Sequence, residues 1–246
     1  MIKPFVTVIL LLVLFSSSGC ARSEVEPIIY QADDELVVLV HGLGRSDWAM
    51  WRFAQRLEYV GYRVCRLNYA SLGVSVAELL NETTLQIDAC ITNAPKVHFV
   101  GHSLGGLVIR AYLQTNKHAL ENMSLGQVVL IGTPNKGSEL ADHFSDSWLM
   151  NLAGGISQAL VTGTKSLGNN LDAINANVGV IAGTKPFTLT NKRFNSPNDG
   201  LVSVASTKLK GMSDFITMEV SHSQMRYSAD VAEQTIHFLL NGSFAH

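Results

Sequence analysis

Six runs along the chain are apolar, rich in β-branched residues, and bounded by glycine, proline or polar turns. They are Glu35 to Val40, Tyr62 to Leu67, Val97 to Val100, Gln127 to Ile131, Val178 to Gly183 and Phe215 to Val220. Most are continuous rather than alternating, the pattern of strands buried on both faces of a parallel sheet. Between them the apolar spacing changes to three and four. Trp48, Trp51, Ala54 and Leu57 predict one helix, with Asp47 able to cap its start and Gly61 ending it. Val76, Leu79, Leu80, Thr83 and Ile87 predict a second, with Cys90 on the same face, and Leu107, Val108, Ala111 and Tyr112 a third. A closing helix runs through Leu240. This alternation predicts an α/β fold, a doubly wound, mainly parallel sheet with helices on both faces. Trp48 and Trp51 are expected in its core rather than on the wall of a binding pocket. Residues 138–178 break the rhythm, being rich in Gly, Asn and Ser, and read as a small cap or a set of loops.

The first twenty residues have a different character. Lys3 precedes an almost uninterrupted apolar run from Phe5 to Phe15, and small residues then lead to Cys20. That is the layout of an export signal spanning 1–20, followed by one domain over 21–246. The run is shorter than the roughly 20 residues of an unaided membrane span. Ser18-Gly19-Cys20 is similar to a bacterial lipoprotein box, with Cys20 as the lipidated residue and a membrane attachment. Ser17 stands where such a box carries an aliphatic, so ordinary cleavage near Ala21 is the alternative. Either way the chain is expected outside the inner membrane, in the periplasm, anchored or secreted. There Cys65 and Cys90 can form a disulfide; two buried thiols are the other reading.

Charge narrows the partners. The formal net charge is −2, without a long basic run, and gives nucleic-acid binding no electrostatic basis. The three cysteines lack C-x-x-C spacing, so no structural zinc site is expected. No metal or organic cofactor is called for.

The chemistry centres on Gly101-His102-Ser103-Leu104-Gly105-Gly106, placed between the third run and the third helix. Gly-x-Ser-x-Gly between a strand and a helix is the sequence of a nucleophile elbow. A hydroxyl needs a base to become a competent nucleophile, and the base needs a carboxylate to fix its tautomer. Among eight histidines, His222 follows the last strand directly, while His102 is expected to face away from the serine. Asp199, in Asn198-Asp199-Gly200, precedes that strand in a loop; Asp172, Asp214 and Asp230 are less suitably placed. Ser103, Asp199 and His222 thus occur in the order Ser, Asp, His. Backbone N–H groups of Leu104 and of Leu43, the latter in His41-Gly42-Leu43-Gly44, are the candidate oxyanion donors.

With Gly132-Thr133-Pro134 and Ser221-His222 added, these motifs resemble the α/β-hydrolase superfamily, in particular its small bacterial esterase and lipase branch. The resemblance implies the α/β-hydrolase fold and cleavage of small-molecule or lipid carboxylic esters through a seryl acyl-enzyme. Ser103, His222 and Asp199 would serve as nucleophile, base and acid. Acyltransferase, thioesterase or amidase chemistry would use the same residues, and a non-catalytic binding lipoprotein is the reading from another class. The 138–178 stretch lacks an obvious amphipathic lid helix.

Overall fold

The computed structural model describes residues 35–116, 124–144, 155–187 and 192–246. The expected leader, with Ser17 and Cys20, lies outside the described residues, as does the middle of the 138–178 stretch. Six parallel strands form one sheet in the order β2-β1-β3-β4-β5-β6. They are β1 (Leu36–Val40), β2 (Arg63–Arg66), β3 (Lys96–His102), β4 (Ser124–Ile131), β5 (Val178–Gly183) and β6 (Asp214–Met218). The sheet is parallel throughout, so the expected "mainly parallel" was an understatement.

Four longer helices cover the sheet: α1 (Trp51–Tyr59), α2 (Val76–Ile91), α3 (Leu104–Thr115) and α4 (Ala229–Asn241). Successive side chains of a strand point to opposite faces, and β1 divides its residues accordingly. Leu36, Val38 and Val40 join Leu79 and Ile87 of α2 and Leu107 and Val108 of α3 in one core. Val37 and Leu39 join Phe53 and Leu57 of α1 and Val231 and Phe238 of α4 in the other. Local signals set the helix ends. Ser75 and Glu78 form a reciprocal capping box on α2. Ser228 caps α4, and Gly242, with φ 74°, ends it.

The start of α1 departs from expectation. Asp47 begins a short 3-10 turn, Asp47–Met50, instead of capping the helix, and its carboxylate lies 3.5 Å from Arg66. The buried stripe is Met50, Phe53, Ala54 and Leu57, whereas Trp48 is 70% and Trp51 38% exposed. The two tryptophans therefore belong neither to the core nor to a pocket beside Ser103. Their spacing matched a helix, but the 3-10 turn rotates that face away from the sheet. The two remaining cysteines do pair: Cys65 on β2 and Cys90 on α2 form a disulfide across 25 residues.

The 138–178 stretch contains short helices at Glu139–Phe144, Gly155–Ala159 and Leu167–Asn170 and a 3-10 turn at Gly163–Lys165. Arg110, a buried charge on α3, holds it to the sheet. Its guanidinium donates to Asn135 Oδ1 at 3.1 Å, Gly168 O at 3.0 Å, Leu171 O at 2.7 Å and Asp172 O at 3.3 Å. Asn135 in turn donates to Thr207 O at 2.7 Å, tying in the segment before β6. Burial lowers the affinity of Arg110 for its proton to a pKa of about 10, so the group stays charged at neutral pH. Nothing in the helical spacing marked it as an anchor.

Arg110→Leu removes these donors and leaves their carbonyls without partners. The expected loss is about 3 kcal/mol, the range for breaking a buried charged network. Calorimetry should show Tm falling by on the order of 10 °C. An unchanged Tm would mean that the 163–172 segment is held by other contacts.

Candidate active site

β3 delivers the chain to Ser103 through Gly101 and His102, and α3 begins at the next residue. The reversal is tight enough that Ser103 adopts φ 56°, ψ −123°. A non-glycine residue in this region costs on the order of 1–3 kcal/mol and needs surroundings that fix it. The surroundings do so from both sides. Ser103 N donates to Ile131 O on β4 at 2.9 Å, and Gly106 N donates to Ser103 O at 3.0 Å. Gly105 allows the helix start to lie against the end of β1: a Cβ there would stand 2.3 Å from Val40 O. Leu104, the first residue of α3, has no intrahelical acceptor for its N–H.

The loop after β1 runs beside this turn. The His41 ring stacks on Tyr69 with centroids 4.1 Å apart, and the Tyr69 hydroxyl donates to the His41 carbonyl. Gly44 N donates to Ser71 Oγ at 2.8 Å. The backbone around Leu43 is thereby held at both ends.

Asp199 and His222 come from the loops before and after β6. The His222 ring donates from Nδ1 to Asp199 Oδ2 at 2.7 Å. The other carboxylate oxygen accepts from Leu201 N at 2.9 Å and Val202 N at 2.8 Å. The two backbones also meet, His222 N donating to Asp199 O at 2.9 Å. Asp199 is fully buried and His222 nearly so. Gly132, with φ +58°, makes room for the pair: a Cβ there would lie 3.3 Å from both Asp199 Oδ2 and His222 Nδ1.

Ser103, His222 and Leu43 line one cavity of about 260 Å³. Its apolar wall includes Pro134, Ala141, Leu160, Leu201 and Val202, so the 138–178 stretch contributes directly. The five residues singled out from sequence thus gather at the ends of β1, β3 and β5 and beyond β6. Such positions, beyond the carboxyl ends of parallel strands, are where open α/β sheets carry their sites. Among the described residues, no three His, Cys, Asp or Glu side chains converge as a metal cluster.

Three cavity residues were missed. His102, expected to face elsewhere, packs its ring 4.8 Å from that of His222 and hydrogen-bonds the His222 carbonyl at 2.9 Å. Strand alternation was a poor guide there because the chain is already turning. Arg45 and Arg226 also line the cavity, and only their nearness in sequence to Leu43 and His222 hinted at it.

Burial, reinforced by the neighbouring His222, holds the His102 imidazole well below the usual histidine range. His41 and His98 are displaced the same way, burial again being the largest cause. Unfolding lets these rings take up protons once pH falls below about 6.5, which the folded chain resists. The stability they contribute is therefore complete above that pH and lost progressively as pH falls below it toward the depressed folded-state range. Each can contribute a slope of up to about 1.4 kcal/mol per pH unit. Thermal unfolding should show Tm several degrees lower at roughly pH 5.5 than at pH 7.5; a flat profile would contradict the buried neutral state.

Comparison with known proteins bears on this geometry. Residues 37–194 match the model of the alpha/beta hydrolase family. Methylesterase 8 of Arabidopsis thaliana is 32% identical over 99 residues, covering 37% of this chain and 34% of that protein. A triacylglycerol lipase of Burkholderia plantarii is 34% identical over 131 residues, 48% of this chain and 34% of the lipase. The chain thus spans about a third of the length of these curated relatives. Among solved structures, Bacillus licheniformis lipase BlEst2 in mature form superposes with TM-score 0.66 at 20% identity, covering 84% of this chain and 91% of that one. Its propeptide form gives TM-score 0.72 at 19% identity, covering 87% and 52%. At such identities the likeness is one of fold alone. The family match takes in the Ser103 turn, the loop after β1 and most of the sheet, and on that ground the chain belongs to the alpha/beta hydrolase family.

Proposed function

We propose that the protein is an exported serine hydrolase of carboxylic esters. The observation that carries this reading is the buried Asp199–His222 pair, closed at 2.7 Å, whose His222 lines one cavity with the positive-φ Ser103. In the first half-reaction His222 Nε2 takes the Ser103 hydroxyl proton as the serine oxygen attacks the ester carbonyl. Asp199, its other oxygen satisfied by two backbone N–H groups, holds the ring with Nδ1 protonated and stabilises the imidazolium. Negative charge then gathers on the former carbonyl oxygen. The N–H groups of Leu43 and Leu104 are assigned to receive it, and the α3 N-terminus adds its dipole. His222 returns the proton to the departing alcohol, leaving an acyl-serine. Water, deprotonated by the same ring, releases the acid.

The apolar wall of Leu160, Leu201 and Val202 suits an acyl group, and the methylesterases and triacylglycerol lipases among the relatives point to ester bonds. Export is proposed from the leader sequence, either lipidated at Cys20 or cleaved near Ala21, and the Cys65–Cys90 disulfide suits an oxidising compartment.

Wild-type protein should react covalently with a fluorophosphonate probe and hydrolyse short p-nitrophenyl esters, and Ser103→Ala should do neither. Asp199→Asn should fold normally yet lower kcat by about four orders of magnitude, because the imidazole adopts the wrong tautomer. Labelling that survives in Ser103→Ala would overturn the assignment. For the leader, the mass of the mature N-terminus should correspond to a lipidated Cys20 or to a chain starting near Ala21; an uncleaved Met1 would refute removal of the leader.

A further inference from the structure

Two arginines reach the same cavity without an anionic partner among the described residues. Arg45 follows Gly44 in the loop after β1, two residues beyond Leu43, and is exposed. Arg226 follows His222 by four residues and is partly buried. Both line the cavity with Ser103 and His222. Among the described residues, no carboxylate forms an ion pair with either. Three carboxylates in neighbouring segments have other partners, although the second oxygen of Glu139 is buried without one. Asp47 faces Arg66, Glu139 accepts from Ser203 Oγ at 2.6 Å, and Asp199 is enclosed with His222. Arg226 instead has Tyr227 beneath its guanidinium, with 6.0 Å to the ring centroid.

Arg45 also acts on Arg226. Burial is the first cause, and Arg45 the second, of the lowered proton affinity of Arg226. Both charges are felt by His102 behind His222. Two like charges at one cavity, one of them partly buried, favour an anion when the site is occupied. Guanidinium groups are suited to that, since their planar donors match carboxylate and phosphate oxygens in pairs. The fold supplies them from two segments far apart in sequence, Arg45 from the loop after β1 and Arg226 from the 3-10 turn Gln224–Arg226 that follows His222.

We propose that Arg45 and Arg226 make the site selective for esters carrying an anionic group, a phosphate or a carboxylate, a few bonds from the scissile carbonyl. This rests on the ester-hydrolase reading and names its substrate class. The arginines take the charged end of the substrate, whether it terminates the acyl chain or the alcohol, and the apolar wall takes the uncharged part. The same pair draws anionic substrates toward the cavity, so selectivity includes an ionic-strength-dependent component.

The test compares matched esters with and without the anionic group. A p-nitrophenyl butyrate and p-nitrophenyl hemisuccinate pair presents the carboxylate. Soluble short-chain diacylglycerol and the corresponding phosphatidate present the phosphate. For wild type, kcat/KM should favour the anionic member of at least one pair by about 10- to 100-fold, and the pair showing it identifies the anion. The preference should shrink in about 0.5 M sodium chloride, where the screening length falls to a few ångströms. In Arg45→Gln/Arg226→Gln the anionic-to-neutral ratio should collapse toward one, mainly through KM. Arg226→Lys should restore part of it, which a merely structural role would not do. Equal or slower cleavage of both anionic esters by a wild type that hydrolyses the neutral ones overturns the proposal alone. So does a double variant, folded by its melting curve, that keeps the preference. A wild type that cleaves no ester and takes no fluorophosphonate overturns the parent reading and this one with it.

Discussion

The structure depends on one close approach. The N-terminus of α3 is pressed against the end of β1, so closely that a Cβ at Gly105 would stand 2.3 Å from Val40 O and 2.6 Å from His41 O. This contact forces the chain leaving β3 to reverse within a residue, and Ser103 takes the strained conformation that results. The same contact sets the helix start next to the loop that carries Leu43. Backbone bonds from Ser103 to β4 and from Gly106 back to Ser103 then remove the alternatives. Strain of this kind persists only where neighbours over-determine it.

Around that turn the site is assembled from separate, individually fixed parts. The loop after β1 is held by the His41–Tyr69 stack and by Ser71. Asp199 and His222 hold each other through side chain and backbone alike, and Gly132 leaves the space that they need. The cavity wall from the 138–178 stretch is secured from below by Arg110. Each part is fixed by buried hydrogen bonds, although His41 Nε2, His102 Nδ1 and Arg110 Nε are buried without a partner. The arginines at the cavity are the departure, since their charges meet no partner among the described residues.

The strands and the longer helices were legible because burial imposes period. The face of α2 that carries Val76, Leu79, Thr83 and Ile87 could be read from spacing, and the Ser75–Glu78 box that starts the helix is local chemistry. Where local signals compete, reading from sequence went astray. The Trp48–Trp51 spacing fitted a helix, yet the 3-10 turn from Asp47 to Met50 rotated those rings to the surface and left Met50 and Phe53 in their place. Arg110 lies on a helix whose neighbouring positions are apolar, and spacing cannot distinguish an exposed charge from one buried against carbonyls.

By itself the sequence determined the Ser103 turn, because strand pattern, glycine spacing and helix pattern are consecutive and need no distant partner. It also determined the chain order of Ser103, Asp199 and His222 and the class of sheet that would carry them. Only the tertiary structure decided that Asp199 and not Asp172, Asp214 or Asp230 meets His222, since that choice depends on how two loops fold around β6. It alone turned His102 toward His222 and brought Arg45 and Arg226 to one cavity. Distances between loops far apart in sequence are set by the packing of the sheet, and no local pattern encodes them.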